Sequence, residues 1–430
     1  MKRVELVSSR LRERYEKITH PSGLTVYVFP KKMTGIYALF ATGFGSIDQS
    51  FSLKEGGDLI TMPGGIAHFL EHKLFENEDG SDAFARFSEL GADANAYTSY
   101  NKTAYLFSCT ENFEQSLEEL LRFVSHPHFT PSSVKREIGI ISEEIRMTED
   151  NPWDRGFQLL LEAMYHHHPV RNNICGTQES IRKITDTLLY DCHRIFYNPS
   201  QMVLVVCGDV TSETVLDTVD RTLPKNADPI RVYKNVPYEP PTVYQKRNDA
   251  RMQVSKPIFF VGFKDPFCPH DPQERLRRDA AMTLLDEILF SRSGAFYSSL
   301  FESGILNPSF TCGYSIADGF AFNCISGESD TPEVVIERLC GEVERLKREG
   351  IGDEELERAR RVLYADEVRA YDSVEEIANR LLSFALEGTE LFSYPEMLER
   401  ITKEEIFSLL DTLFDERYRS VSVIYPLDQR

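Results

Sequence analysis

The second half of this 430-residue chain repeats the order of motifs found in its first half. In each half the pattern predicts a helix, then a pair of strands, then a long helix, and each half ends near an apolar strand. The paired segments are 68–75 with 283–290, 95–109 with 309–324, and 134–147 with 356–370. The repeat restricts the chain to two related domains, and two domains also suit its length.

The first copy of the repeat contains His68-Phe69-Leu70-Glu71-His72, which we expect to be helical after the turn signal Pro63-Gly64-Gly65. Positions i and i+4 of a helix share a face, so both imidazoles can reach a single metal ion. Glu71 lies beside that face, close enough to act on water at the ion, and this H-x-x-E-H order is the inverzincin pattern. The alternative is an ordinary helix with two structural histidines, and a third ligand is needed to decide.

Candidates for a third ligand lie in the segment 131–150, which predicts a long helix with an apolar stripe. Glu137 and Glu144 are two turns apart in this segment and therefore share a helix face. Acidic residues at that spacing usually form a solvated face. Catalytic zinc, however, usually takes three protein ligands, and a histidine pair that lacks a carboxylate makes these two glutamates candidates.

Three further segments carry a family resemblance. They are GADANAYTSYNKTAY at 91–105, REIGIISEEIRM at 136–147 and FYNPSQMVLVVCGDV at 196–210. Together with HFLEH they resemble the pitrilysin/insulinase zinc metallopeptidases, the inverzincins, and in particular the half-length subgroup that includes mitochondrial processing peptidase. The resemblance covers essentially the whole chain, more closely in its first half.

The resemblance implies one zinc ion per chain, bound by His68, His72 and Glu144, with Glu71 as the general base. Glu137 matches an acidic residue one heptad earlier that orients the site. Glu143 is the rival of Glu144. The seven-residue interval from Glu137 favours Glu144, because Glu143 would point about a quarter-turn away.

Hydrolysis of a peptide bond is the reaction that best fits these parts, with Glu71 taking a proton from the attacking water and returning it to the leaving amine. The stretch Asn95, Ala96, Tyr97 and Thr98 resembles the family's edge strand, which adds an extended peptide substrate to its sheet. The alternative for this stretch is an ordinary strand. We expect an endopeptidase or oligopeptidase that acts on unfolded peptides or precursor segments.

One departure from the family concerns the grip on the peptide. Members commonly use an Arg and a Tyr, seven residues apart, in the second half of the chain. Here Phe301 stands at the Arg position and Pro308 near the Tyr position. Half-length relatives often pair with a homologous zinc-free subunit, so we expect a homodimer or a heterodimer with such a subunit.

We predict an α+β fold of two homologous domains, each a mainly antiparallel sheet packed against helices, related as a degenerate internal repeat. The predicted division is a catalytic domain at 1–225, a proline-rich linker at 226–255 and a second domain at 256–430. Thr283 and Glu287 replace the two histidines in the second copy, while Glu367 stands where Glu144 stands. A lone carboxylate cannot hold zinc, so we expect this copy to be catalytically inactive.

Composition excludes several other classes. The net charge of −20 argues against nucleic-acid binding, which needs a basic face. The start of the chain is too polar for a signal peptide and no apolar run is long enough for a membrane span, so the default location is the cytoplasm. The eight cysteines show no C-x-x-C spacing, which indicates reduced, mostly buried thiols.

Two competing functions remain at this stage. The chain could be a non-catalytic structural subunit of a complex, although an intact set of His68, Glu71, His72 and Glu144 argues against this. The same zinc site could also serve a metal-dependent hydrolase of a non-peptide modification. Metal analysis addresses the first alternative, and digestion of a peptide library addresses the second.

Overall fold

The computed structural model describes residues 1–78, 80–225, 227–317 and 319–427. Its strands are β1 (Lys2–Ser8), β2 (Glu13–Thr19), β3 (Thr25–Pro30), β4 (Ile36–Thr42), β5 (Ser50–Ser52), β6 (Ile60–Thr61), β7 (Asp93–Thr98), β8 (Thr103–Cys109), β9 (Met202–Gly208), β10 (Tyr233–Lys234), β11 (Ala250–Met252), β12 (Ile258–Lys264), β13 (Thr311–Ala317), β14 (Phe320–Glu328) and β15 (Arg419–Pro426). Its α-helices are α1 (Ile66–Leu74), α2 (Ala83–Leu90), α3 (Phe113–Ser125), α4 (Pro131–Asp150), α5 (Pro152–Met164), α6 (Gln178–Ile181), α7 (Asp186–Phe196), α8 (Ser212–Thr222), α9 (Pro272–Phe290), α10 (Ala295–Glu302), α11 (Pro332–Glu349), α12 (Asp353–Ala370), α13 (Val374–Glu387), α14 (Ser393–Arg400) and α15 (Lys403–Leu413).

The chain packs into two compact units that alternate along the sequence. Unit 1 comprises Met1–Ile145, Asn173–Asn235 and Val368–Phe392, and unit 2 comprises Arg146–Asn172, Val236–Glu367 and Ser393–Arg430. These are divisions by packing. The contiguous functional division at 1–225, 226–255 and 256–430 stays a prediction.

The main sheet of unit 1 has the strand order β1-β2-β3-β9-β4-β8-β7. Strand β9 lies between β3 and β4, pairing parallel with β3 and antiparallel with β4. All seven residues of β9 are buried, as expected for an apolar run that needs a neighbour on each side and a covered surface on both faces. A second, small sheet in this unit has the order β10-β5-β6.

Both faces of the main sheet are covered by apolar side chains. One face packs into a core to which α1, α3, α4, α7 and α8 contribute. The other face packs against α13, through a smaller core that includes Leu39, Val205 and Leu381. The sheet is therefore the central layer of unit 1, and α1 and α4 lie on the same side of it.

Unit 2 reproduces the strand order of unit 1. Its sheet runs β11-β15-β12-β14-β13, which corresponds to β3-β9-β4-β8-β7. The one parallel pair also corresponds, because β11 pairs parallel with β15 as β3 does with β9. The antiparallel pairs around β12 and β14 match those around β4 and β8. The α+β fold and the degenerate internal repeat are thereby confirmed.

Each unit takes one helix from the other half of the sequence. Helix α13, from the second half, packs on β9 and β4 of unit 1, while α5, from the first half, packs on β12 and β15 of unit 2. A Cβ at Gly156 in α5 would lie 2.3 Å from the ring of Phe260, so only glycine permits this close approach of helix to sheet.

All eight cysteines lie within the described residues and are free thiols. Cys109, Cys175, Cys192 and Cys207 are buried, in agreement with the expectation of buried thiols, and the other four are partly exposed. Within the described ranges, the helices are all too short or too polar to cross a lipid bilayer.

Candidate metal centre

Helix α1 carries the H-x-x-E-H motif, and a loop contact fixes where the helix begins. Gly65, just before the helix, has a φ of 88°, and a Cβ there would lie 2.4 Å from the carbonyl oxygen of Cys175. Gly176 has a φ of 80°, and a Cβ there would lie 2.5 Å from the carbonyl oxygen of Gly64. Two glycines therefore let these backbone segments touch, and the hydroxyl of Ser180 donates to the Gly64 carbonyl at 2.7 Å. This contact fixes the start of α1 and thereby the positions of His68 and His72 along it.

Helix α4 supplies the carboxylates that the sequence proposed. The Nε2 atom of His68 lies 3.3 Å from Oε1 of Glu144, and the Nε2 atom of His72 lies 3.4 Å from Oε2 of the same residue. Glu137 accepts a hydrogen bond from Nδ1 of His72 at 3.1 Å. The structure thus brings His68, His72 and Glu144 together, and Glu143 lies outside this group.

The spacing of the three side chains suits one divalent ion. Each offers one ligand atom, and these atoms lie within 4.8 Å of one another. Nitrogen and oxygen ligands at about 2.0–2.1 Å from a tetrahedral zinc ion lie about 3.3–3.4 Å apart. Each imidazole Nε2 lies at about that separation from one of the two carboxylate oxygens of Glu144, so the donor set fits a zinc ion held between them.

The carboxylates in and around the group place negative charge where a cation would bind. Burial lowers the pKa of His72, but the hydrogen bond that His72 donates to Glu137 and the negative charges of Glu71 and Glu144 outweigh it and raise that pKa above its usual value. The hydrogen bond with His68 holds the pKa of Glu144 below its usual value, against the opposing effect of burial. The carboxylate of Glu144 is therefore ionised at neutral pH.

Glu71 lies beside the three ligands but is not one of them. Its side chain is directed to strand β7, where its Oε2 accepts a hydrogen bond from Oγ1 of Thr98 at 2.7 Å. Glu71 also lines a cavity of about 450 Å³, together with His72 and Glu137. A carboxylate in this place can exchange a proton with a molecule in the cavity.

The four residues proposed to bind the substrate lie together at the end of β7, which is an edge strand of the main sheet. Asn95 and Ala96 line the cavity, and Oδ1 of Asn95 accepts a hydrogen bond from the backbone N–H of Ala96 at 2.8 Å. The hydroxyl of Tyr97 donates to Oδ1 of Asn379, and Thr98 donates to Glu71. The side chains of Tyr97 and Thr98 are therefore both engaged in hydrogen bonds within the protein.

Cys175 lies next to this group, although no motif in the sequence predicts it there. Its Sγ lies 3.9 Å from Nε2 of His68 and 3.9 Å from Oε1 of Glu144. Burial and the charges of Glu144 and Glu71 raise the pKa of this thiol to about 12, so it is neutral at pH 7. Cys175 lies beside the group of ligand atoms that are within 4.8 Å of one another, which consists of His68, His72 and Glu144. No local sequence signal places this loop next to α1.

The corresponding positions of unit 2 differ in chemistry. The hydroxyl of Thr283, at the position of His68, donates to the backbone carbonyl of Asp279 at 2.9 Å. Asp286, at the position of Glu71, accepts a hydrogen bond from Asn323 on β14 at 2.6 Å. That the second copy is catalytically inactive stays a prediction.

Comparison with known proteins finds matching family models, a similar sequence and a similar structure. The family model "Insulinase (Peptidase family M16)" matches residues 62–178, and "Peptidase M16 inactive domain" matches residues 183–363. The uncharacterized zinc protease YmfH of Bacillus subtilis is 40% identical over 399 residues, which are 92% of this chain and 92% of that protein. The crystal structure of an M16-like peptidase from Alicyclobacillus acidocaldarius has a TM-score of 0.93 and 33% identity, covering 98% of this chain and 100% of that chain.

A further comparison concerns chain length. The periplasmic protease PqqL from Escherichia coli has a TM-score of 0.73 at 18% identity, which shows a shared fold. The match covers 99% of this chain and 48% of that chain. This chain therefore spans about half the length of that protease.

Proposed function

We propose that this chain, which belongs to the insulinase family of peptidases (peptidase family M16), is a zinc-dependent endopeptidase or oligopeptidase that hydrolyses unfolded peptides or precursor segments. One observation carries the proposal. One ligand atom from each of His68, His72 and Glu144 lies within 4.8 Å of the others, close enough to share one zinc ion, while Glu71 lies beside them at a cavity. A structural subunit would have no need of a base held apart from the ligands.

The proposed roles follow from the contacts. A zinc ion held by His68, His72 and Glu144 supplies a Lewis acid that polarises the scissile carbonyl and makes water more acidic. Glu71 accepts a proton from the attacking water on one oxygen and returns it to the leaving amine. Glu137 accepts a hydrogen bond from Nδ1–H of His72 and so fixes the orientation of the imidazole ring. This keeps Nε2 of His72 directed toward the proposed zinc position.

The edge strand and the cavity indicate how a peptide would bind. An extended peptide can pair with the free edge of β7, where main-chain hydrogen bonds bind it with little regard to sequence. The cavity next to Asn95 and Ala96 then receives one peptide side chain. Its apolar wall is formed by Phe75 and Phe84, whose rings stack at 4.3 Å. Glu76, Asp82 and Arg136 also line the cavity, so it presents charged groups as well as an apolar wall to the peptide side chain.

The chain is proposed to act as a homodimer or with a homologous zinc-free subunit. The Arg and Tyr that family members commonly use to grip the peptide are replaced by Phe301 and Pro308 in the second half. Phe301 is 45% exposed and stacks on Tyr297, so it offers no hydrogen bond to a peptide carbonyl. A partner that supplies the missing groups would complete the site. If the purified monomer cleaves peptides at the rate of the assembled protein, the partner is not required.

The proposed function is tested with an internally quenched fluorogenic peptide library and a zinc determination. We expect the wild type to bind one zinc ion per chain and to lose activity on treatment with a chelator. Glu71→Gln should keep zinc and lose at least about 100-fold in kcat, because the base is removed and the ligands remain. Glu143→Gln is the matched control, since this exposed glutamate on α4, adjacent to Glu144, is outside the ligand group.

The outcomes separate the alternatives. Zinc binding without cleavage of any peptide would refute the peptidase and leave the structural subunit or the hydrolase of a non-peptide modification. Activity that survives Glu71→Gln would remove Glu71 as the base.

A further inference from the structure

We infer that Thr98 is a positioning residue for the general base, because its hydroxyl holds the Glu71 carboxylate away from the metal ligands. The inference rests on the proposed function. The family resemblance placed Thr98 among residues that bind the substrate backbone. In the structure its side chain is directed to Glu71.

Glu71 needs such a partner. The residue is 9% exposed, and within the described chain Thr98 is the only side chain or backbone group that donates a hydrogen bond to its carboxylate. A buried carboxylate with one donor loses most of its stabilisation when that donor is removed. Glutamate also has three rotatable side-chain bonds, and Glu71 is adjacent in sequence to His72. Without a fixed donor, its carboxylate could turn toward the ligand group and would no longer be held at the cavity.

Neighbouring residues fix the position of the Thr98 hydroxyl. Thr98 is the last residue of β7 and pairs with Thr103 on β8, with their Oγ1 atoms 3.4 Å apart. Thr103 is fully buried, and its hydroxyl donates to the backbone carbonyl of Phe44 at 2.9 Å. The Thr98 proton is directed to Glu71 because the carboxylate oxygen, at 2.7 Å, is a nearer and stronger acceptor than Oγ1 of Thr103 at 3.4 Å. The β-branched side chain of Thr98 further restricts its rotamer in the strand.

This geometry ties two parts of the proposed reaction together. Asn95 and Ala96 of β7 line the cavity, and Thr98, at the end of the same strand, holds the base. The strand that would pair with the substrate also sets the position of Glu71 relative to it. A hydroxyl at position 98 is therefore required for the chemical step more than for substrate binding.

The kinetic test compares Thr98→Val with Thr98→Ser. Valine keeps the shape and the strand preference of threonine and removes only the hydroxyl, whereas serine keeps the hydroxyl. Thr98→Val should lower kcat by about 10- to 100-fold with KM and zinc content unchanged, the range found for residues that orient catalytic groups at metal sites. Thr98→Ser should stay within about threefold of the wild type, which a purely structural role of threonine would not produce. Thr25→Val, in strand β3 of the same sheet, is the control for a threonine-to-valine change.

A second test uses the metal-free protein and requires no activity. In the wild-type background Thr98→Val should lower the thermal midpoint, because it leaves the buried Glu71 carboxylate without its donor. In a Glu71→Ala background the same change should have no effect or raise the midpoint, because the hydroxyl there has lost its acceptor.

The two tests give distinguishable failures. Equal effects of Thr98→Val on the thermal midpoint in both backgrounds, or a normal kcat for Thr98→Val, would overturn the inference and leave the peptidase intact. An equal loss of kcat in Thr98→Ser and Thr98→Val would do the same. A wild type that binds zinc and hydrolyses no peptide would overturn the proposed function, and the role of Thr98 in catalysis with it.

Discussion

Replacement of Asp286 by asparagine should stabilise unit 2 at pH 8 much more than at pH 5. Asp286 stands in α9 at the position that the repeat assigns to Glu71, and it is 6% exposed. Burial raises the pKa of this carboxyl to about 7, the charge of Asp279 adds to the effect, and the hydrogen bond from Asn323 opposes it. Oδ1 of Asn323 is buried and has no hydrogen-bond partner within the described residues. A protonated Asp286 carries the O–H that this atom needs.

The sign of the effect follows from proton linkage. In the unfolded chain the carboxyl releases its proton near pH 3.9, whereas in the folded chain it keeps the proton up to about pH 7. Between these pH values the folded state binds more protons than the unfolded state, so the contribution of Asp286 to the free energy of unfolding falls as the pH rises. Above about pH 7 this contribution no longer changes. At about 1.4 kcal/mol for each pH unit, the whole loss is about 4 kcal/mol, and about 2.5 kcal/mol of it lies between pH 5 and pH 8.

Asp286→Asn removes this titration while keeping the shape and an amide that can pair with Asn323. The free energy of unfolding of the variant, relative to the wild type, should therefore increase by about 2.5 kcal/mol from pH 5 to pH 8.

Trp153 provides a fluorescence probe in unit 2, the unit that contains Asp286. It is the only tryptophan in the chain and lies in α5, where its ring contacts Phe260 in unit 2 at 5.7 Å between centroids. Urea unfolding is followed by its fluorescence at both pH values. Asp411→Asn, on the exposed side of α15, controls for the loss of one negative charge from a chain of net charge −20. A stability difference for Asp286→Asn that is the same at pH 5 and pH 8 would refute the reasoning.

Three further predictions concern the candidate metal centre. Glu144→Gln should leave less than one zinc ion per chain and abolish peptide cleavage, since a neutral amide is a poor zinc ligand; full zinc occupancy by elemental analysis would exclude Glu144 as a ligand. Glu137→Gln should raise the zinc dissociation constant about 10- to 100-fold, because His72 loses its carboxylate partner; competition with a chromogenic chelator measures this, and an unchanged constant would contradict it. Gly65→Ala should lower the unfolding free energy by about 2 kcal/mol or more, through its positive φ and the contact at 2.4 Å. Gly91→Ala, with a φ of 72° and open space around its Cβ, should cost only about 1 kcal/mol, and equal losses in thermal unfolding would refute the role of the loop contact.

The features that could be predicted from the sequence are those set by local periodicity. His68 and His72 share a face because they are one helical turn apart, and this remains true wherever the helix packs. The same period separates Glu144 from Glu143 once Glu137 is taken as the reference. In the structure Glu144 lies within 3.4 Å of Nε2 of both histidines, and Glu137 accepts a hydrogen bond from His72.

The repeat could also be read from the sequence, because it preserves the order of elements. The two sheets confirm it strand by strand, including the single parallel pair in each. The position of β9 between β3 and β4 required the structure. An apolar run indicates a buried strand, but its neighbours are chosen by long-range pairing.

The sequence by itself determined the H-x-x-E-H motif, the second helix with its carboxylates and the two-copy plan. Only the tertiary structure decided which groups surround Glu71 and the three candidate ligands. Thr98 reaches Glu71, and Cys175 reaches His68, across long stretches of chain through sheet register and a contact between glycine-containing loops. The tertiary structure also decided that α5 and α13 each cover a sheet built mostly from the other half of the chain. The physical reason is that helical spacing is fixed by neighbouring residues, whereas these contacts exist only after distant segments have packed.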